Sequence, residues 1–216
     1  MLTKEFALLL AMAACFAGHA NAVTITSPFT AGLEEWTAID TIGGTPTHIA
    51  AGGNPGGYLY IDNAEVAWAY VIAPAAFLGN LSAFDGGTLS FDGNQLTGDG
   101  AYVHANDYGH VIISGPGGSA TRDLAAAPVP LGQWISYSAP LDAASWGVSA
   151  LTWSAILADV TDIRVSLEGT FGAETNGFDN FTLASAPAAG IPEPSSAYLI
   201  VSGLLGAAFL RRRRGR

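Results

Sequence analysis

The sequence predicts an all-β domain, a sandwich or barrel, from three observations. Residues 23–190 are dense in glycine, threonine, aromatic and β-branched side chains. Short apolar runs recur there at about the eight-to-twelve-residue spacing of such folds. Turn signals separate the runs: Gly43-Gly44, residues 52–57, Gly86-Gly87, Gly98-Asp99-Gly100, residues 115–118 and Gly172. At these places the backbone needs positive φ or a proline-fixed φ.

Residues 1–22 precede the domain. They carry Lys4, an apolar stretch over 6–17 and then Ala20-Asn21-Ala22. Small residues at Ala20 and Ala22 are what a signal peptidase cuts after, so the mature chain is expected to begin at Val23. A competing reading lipidates Cys15, but Met12 fits a lipoprotein box poorly. Cleavage after Ala22 removes Cys15, the single cysteine, and with it any disulfide or thiolate site.

Within the domain, residues 58–61 and 67–73 read as the first clear strands. Residues 88–92 alternate, Leu89 and Phe91 on one face and Thr88, Ser90 and Asp92 on the other. Residues 110–114 are apolar at consecutive positions, which predicts a strand covered on both faces. Alternation resumes at 134–138. In 162–168, Ile163, Val165 and Leu167 are expected to face the core, with Asp162, Arg164, Ser166 and Glu168 toward water. Residues 178–183 close the domain. Only 151–160 reads as helix: Thr152 can cap it, and Trp153, Ile156, Leu157 and Val160 share a face, suited to plugging one end of a sandwich. Residues 185–190 are small and form a linker between the domain, 23–184, and the C-terminal segment, 191–216.

That segment runs from Pro192-Glu193-Pro194 through an apolar stretch, 197–210, to Arg211, Arg212, Arg213, Arg214 and Arg216. As a helix the apolar stretch is about 21 Å long, short of the roughly 30 Å hydrocarbon core, so it is a marginal membrane anchor. The arginines are membrane-orienting: they stay cytoplasmic and leave the domain outside. The two prolines fix φ and remove donors, keeping the motif extended, as a protease requires. A plain tail anchor is the alternative.

Charge is uneven. Sixteen of the eighteen carboxylates fall within 23–190 against Arg122 and Arg164, leaving the domain about −14. Such a surface repels phosphate backbones, which excludes nucleic acid as a partner, and it attracts divalent cations. Asp179 and Asn180 interrupt an apolar strand and are candidate ligands for a structural calcium, with Asp62 and Asn63 supplying further oxygens. Turn chemistry at Asp62-Asn63 and a solvated edge at Asp179 are the plainer readings. His104, Asp107 and His110 lie close in sequence, but their spacing fits a polar hairpin tip as well as a metal. Carboxylates stand in no acid-and-nucleophile setting, and there is no nucleophile elbow, phosphate loop or histidine triad, so no catalytic residue is assigned.

Seven stretches in order resemble the laminin B (laminin IV type A) domain of bacterial surface proteins. They are residues 33–36, 52–59, 70–79, 86–92, 111–115, Trp134 with 140–142, and 177–181. The resemblance implies a jelly-roll, galactose-binding-like β-sandwich with an extracellular structural or adhesive role and no catalysis. It lacks the cysteines of the animal domains. The C-terminal segment resembles the PEP-CTERM sorting signal of Gram-negative bacteria, which implies processing by an exosortase and delivery to the cell surface or exopolysaccharide matrix. The expectation is an exported, non-enzymatic surface or matrix protein, membrane-held as precursor. The alternative is a carbohydrate-binding module recognising an exopolysaccharide, and a secreted glycoside hydrolase ranks below both.

Overall fold

The computed structural model describes residues 22–39, 45–63, 68–98, 107–125, 129–170 and 172–187. Ala20, the motif Pro192-Glu193-Pro194, the stretch 197–210 and the terminal arginines lie outside these residues. No described helix is long and apolar enough to cross a membrane.

The described strands are β1 (Thr24–Ser27), β2 (Thr37–Ile39), β3 (Thr47–Gly53), β4 (Gly56–Asn63), β5 (Tyr70–Ile72), β6 (Thr88–Gly98), β7 (His110–Gly115), β8 (Gly118–Asp123), β9 (Ile135–Pro140), β10 (Asp162–Ser166) and β11 (Glu174–Ala184). Helix α1 (Ala150–Ala158) precedes β10. Alternating side chains give each strand one apolar face, and two antiparallel sheets bury those faces against each other. One sheet runs β3-β4-β11-β6-β9, with β1 beside the C-terminal half of β11. The other runs β2-β5-β10-β7-β8. Only β3–β4 and β7–β8 are hairpins within a sheet, and every other connection crosses between sheets. Both sheets keep open edges, so of the two predicted forms the domain is a sandwich.

Between the sheets lie Leu59, Ile61, Leu89, Phe91, Phe178, Phe181 and Leu183 from the first and Val71, Val111, Ile113, Ile163 and Val165 from the second, all buried. Each such side chain contributes about 1.5–3 kcal/mol. Trp36 sits among Phe29, Phe77, Phe178 and Phe181, with ring centroids 4.9–6.0 Å away, and its indole N–H donates to Ser27 Oγ at 2.9 Å.

Three strand expectations change. In β7, Val111 and Ile113 are buried while Ile112 is only half-buried on the outer face of its sheet, so the strand is covered fully on one side. In β10 the alternation holds through Arg164, but the strand ends at Ser166. Ser166 and Glu168 are buried instead of facing water: Leu167 still donates to its register partner, the Ala69 carbonyl, and past it the chain carries Glu168 into the interior beside Asn63. Strand β9 begins at Ile135, which frees Trp134 to leave the ladder.

Helix α1 forms with Trp153, Ile156 and Leu157 buried, but it ends at Ala158; Val160, expected on the same face, lies beyond it, buried and bridged to Gly79. Its cap is Ser149, whose Oγ accepts from Thr152 N at 3.1 Å, and Thr152 lies inside the helix. Trp153 stacks on Trp146 at 5.5 Å. The β7–β8 turn lies so close to α1 that a Cβ on Gly117 would come 2.8 Å from Ala155 Cβ and from the Thr152 carbonyl oxygen.

Candidate functional site

On the outer face of the six-stranded sheet, β11 bulges. Asp179 pairs with Asp92 and Thr182 with Ser90, so Asn180 and Phe181 face a single residue of β6. Asn180 adopts φ 52°, a conformation asparagine tolerates better than most residues. Asp179 accepts hydrogen bonds from Asn54 N at 2.7 Å and Asn180 N at 2.8 Å. Asn180 Nδ2 donates to Asp92 Oδ2 at 2.8 Å and to the Asn54 carbonyl. Asn54 Nδ2 and Ser136 Oγ also donate to Asp92, at 3.2 and 2.5 Å. The cluster is a clasp that ties the β3–β4 hairpin to β11, β6 and β9.

The clasp bears on the calcium expectation. Each oxygen of Asp92 and Asp179 already accepts an N–H or O–H, and Asn180 turns its NH2 group toward Asp92. A cation would have to displace these donors. Burial, the largest cause, raises the Asp179 carboxyl above its ordinary range. Asp62 and Asn63 do not join the clasp. Asp62 is exposed beside Thr175, on the far side of the Tyr60–Gly177 and Leu59–Phe178 pairs from Asp179. Asn63 is buried and donates to Glu168.

Next to the clasp, the Trp134 ring lies across the sheet. A Cβ on Gly177 would come 2.8 Å from Trp134 Cη2, so only glycine leaves room for the indole. Trp134 Nε1 donates to the Gly52 carbonyl at 2.8 Å, and Tyr58 meets the ring edge-on at 5.3 Å. This aromatic pair is fixed by its own packing.

The outer face of the five-stranded sheet is different. Trp68, 46 % exposed, stands by Tyr70 with ring centroids 6.4 Å apart. Across the ladder, the Arg164 guanidinium lies 5.9 Å from the Tyr70 ring centroid, and its Nε donates to Asp162 Oδ2 at 2.7 Å. The two terminal amino groups of Arg164 make no hydrogen bond to a described residue. Ile72 and Ile112 flank Arg164 in the same row. Arg122, in contrast, is spent on packing, donating to the Ser145 carbonyl. Of the histidine group, His104 lies outside the described residues, Asp107 is buried, and His110 faces Asp123 at 3.6 Å. His48 Nε2 donates to the Phe29 carbonyl at 2.7 Å. No group of three or more His, Cys, Asp or Glu among the described residues is placed to hold a metal.

Sequence reasoning missed an acid pair inside the sandwich. Glu168 and Glu174 are each 1 % exposed and close enough to act on one another's charge. Burial is the largest cause pushing both carboxyls up, and for Glu168 the neighbouring Glu174 adds to it. The pair is sealed from solvent, whereas the carboxyls that flank a glycosidic bond must be open to substrate. A signal for it did exist: Glu174 and Asn176 share the parity of Phe178, which puts them on the core side of β11.

No protein-family model matches this chain, and no curated protein sequence does. Among solved structures it is similar to the L4b domain of human laminin alpha-2, at TM-score 0.54 and 16% identity, covering 76% of this chain and 98% of that one. It also overlaps the C-terminal family 22 carbohydrate binding module of Clostridium thermocellum Xyn10B, at TM-score 0.47 and 12% identity, with 81% and 98% covered. The CBM22-2 xylan-binding domain of Paenibacillus barcinonensis Xyn10C gives 0.47 and 15%, with 74% and 99% covered. At these identities the likeness is one of fold, and the laminin L4b domain carries it: this chain holds a β-sandwich similar to that domain.

Proposed function

We propose that the domain is a non-catalytic binding module that attaches an exported protein to extracellular polysaccharide through the outer face of its five-stranded sheet. One observation carries the reading. Trp68 is exposed beside Tyr70, over whose ring lies Arg164, oriented by Asp162 and with its terminal N–H groups unengaged by described residues. An indole face stacks on the apolar face of a sugar ring, and a fixed guanidinium fork donates to ring hydroxyls or a carboxylate. Positioning Arg164 through Asp162 and Tyr70 lowers the entropy lost when a ligand is held.

In this proposal the C-terminal segment, read as a sorting signal cut by an exosortase, brings the domain to the cell surface or matrix, and a structural or adhesive role follows from sugar attachment. Titrating the purified chain with a panel of polysaccharides, read by tryptophan fluorescence, tests it. At least one polymer is expected to shift the emission, and Trp68→Ala and Arg164→Ala to weaken that binding about tenfold or more. Silence across the panel leaves a purely structural sandwich, and binding indifferent to both substitutions overturns the assignment to this face.

A further inference from the structure

One end of the sandwich interior is polar where the rest is aromatic. Strand β11 sends Glu174 and Asn176 inward, β6 sends Gln95, β4 sends Asn63, and the turn after β10 sends Glu168, all of them buried. Asn63 Nδ2 donates to Glu168 Oε2 at 2.8 Å, and Gln95 Nε2 donates to Glu174 Oε2 at 2.9 Å. The N–H groups of Gly169 and Thr170 also point at Glu174, at 3.0–3.1 Å. The two arginines of the domain lie elsewhere, Arg164 on the outer face and Arg122 at Ser145. Two carboxyl groups therefore share an interior in which no described cation answers them.

A second observation is independent of the acids. Asn176 is 0 % exposed and sits opposite Gln95 and Ile61 in the ladder, two residues from Glu174 on the same face. It lies near enough to Glu174 to favour its charged form, yet neither Oδ1 nor Nδ2 has a formed hydrogen bond. The buried Tyr108 hydroxyl is also without a partner, within electrostatic reach of Glu174. A native interior rarely leaves an amide with both ends idle, because each idle atom has lost its water for nothing. A cation bridging the carboxylates would take the place of the Gln95 and Thr170 donors on Glu174, use the idle amide oxygen and offset the burial of both acids.

We propose that this interior end binds calcium, with Glu168, Glu174 and the Asn176 amide oxygen as side-chain ligands. The donor set is all oxygen, which favours a hard cation over a transition metal. It is also irregular and protein-enclosed, which suits calcium better than magnesium, an ion that keeps its water and demands near-octahedral geometry. The site is distinct from the clasp: Glu174 and Asn176 point between the sheets, whereas Asp179 lies beyond Phe178 on the outer face.

Terbium, which takes calcium sites, supplies the probe, with the buried Tyr108, within electrostatic reach of Glu174, as its sensitiser. The full-length chain, stripped with chelator, is expected to give tyrosine-sensitised terbium emission that calcium displaces. Its thermal midpoint is expected to rise by roughly 5 °C or more once calcium exceeds its dissociation constant about a hundredfold. Glu174→Gln and Asn176→Leu should each weaken calcium at least tenfold, while Asp179→Asn should leave the response in place. No terbium signal and no calcium shift in the wild-type chain overturns the proposal, whatever becomes of the variants. So does a response that Asp179→Asn abolishes and Glu174→Gln preserves, for that places the ion in the clasp.

Discussion

Asn180 shows how a single side chain can be legible in the sequence while its purpose is not. Its polarity inside an apolar strand marks it, but the register shift that sets it opposite Asp92 and Asn54 depends on two other strands. Because it sits at φ 52°, Asn180→Ala loses both the amide donors and a tolerated conformation, whereas Asn180→Gly loses only the donors. Urea unfolding is expected to show alanine costing about 2–3 kcal/mol and glycine about 1 kcal/mol less. Equal losses would mean that the bulge stores no conformational preference. Glu168 misleads in the opposite way, since alternation from Ile163 assigns it to solvent and only the end of β10 at Ser166 turns it inward. Its carboxyl is pushed up to about 8 and that of Glu174 to about 7, against an ordinary 4.5, first by burial. Between those limits the native state holds more protons than the unfolded chain, so stability falls as pH rises. Melts of the full-length chain in chelator should show a higher midpoint at pH 5 than at pH 8, and Glu168→Gln should flatten the trend. A midpoint that climbs over this window would show that other groups dominate.

At the scale of elements, sequence pattern located β4–β7, β9–β11 and α1 but not their contacts, and it left β1, β2, β3 and β8 unmarked. The face of Trp153, Ile156 and Leu157 is a local pattern that the structure keeps, while Val160 is drawn out of the helix into a bridge with Gly79. That the β7–β8 turn lies under α1 is not local. The glycines of residues 115–118 read equally well as a turn signal, and at Gly117 the need is for space, because the helix occupies the position of a side chain. Gly117→Ala should therefore push α1 away and cost about 1–3 kcal/mol of stability, seen as a lower urea midpoint with an unchanged slope. Alanine at the exposed helix position Ser154 is the control and should be nearly neutral. Trp134 belongs to the same class of contact. Alternation makes it a strand residue, but its ring lies over β11 only because Gly177 is bare, a pairing separated by more than forty positions in the chain.

For the whole molecule, the topology joins the two ends of the domain. Strand β1 pairs with the end of β11 from Thr24 opposite Ala184 to Ser27 opposite Phe181. Beyond the pairing, Val23 N donates to Ser185 Oγ at 2.9 Å and Ser185 N donates to the Val23 carbonyl at 2.8 Å. A cut after Ala22 thus leaves the strand complete, while a cut only a few residues later would strip the partner of β11 and the Ser27 acceptor of Trp36. Ser185 closes the ladder from the other side, ahead of the segment 191–216. If those residues act only as a sorting and membrane-holding segment, their deletion should leave the thermal midpoint within about 1 °C of the intact chain's in detergent. The same deletion should move the protein from the membrane fraction to periplasm or medium. A large loss of stability would make the segment part of the fold. Unchanged retention at the cell surface would place the sorting information within the domain, and the polysaccharide-binding face would then have to account for it.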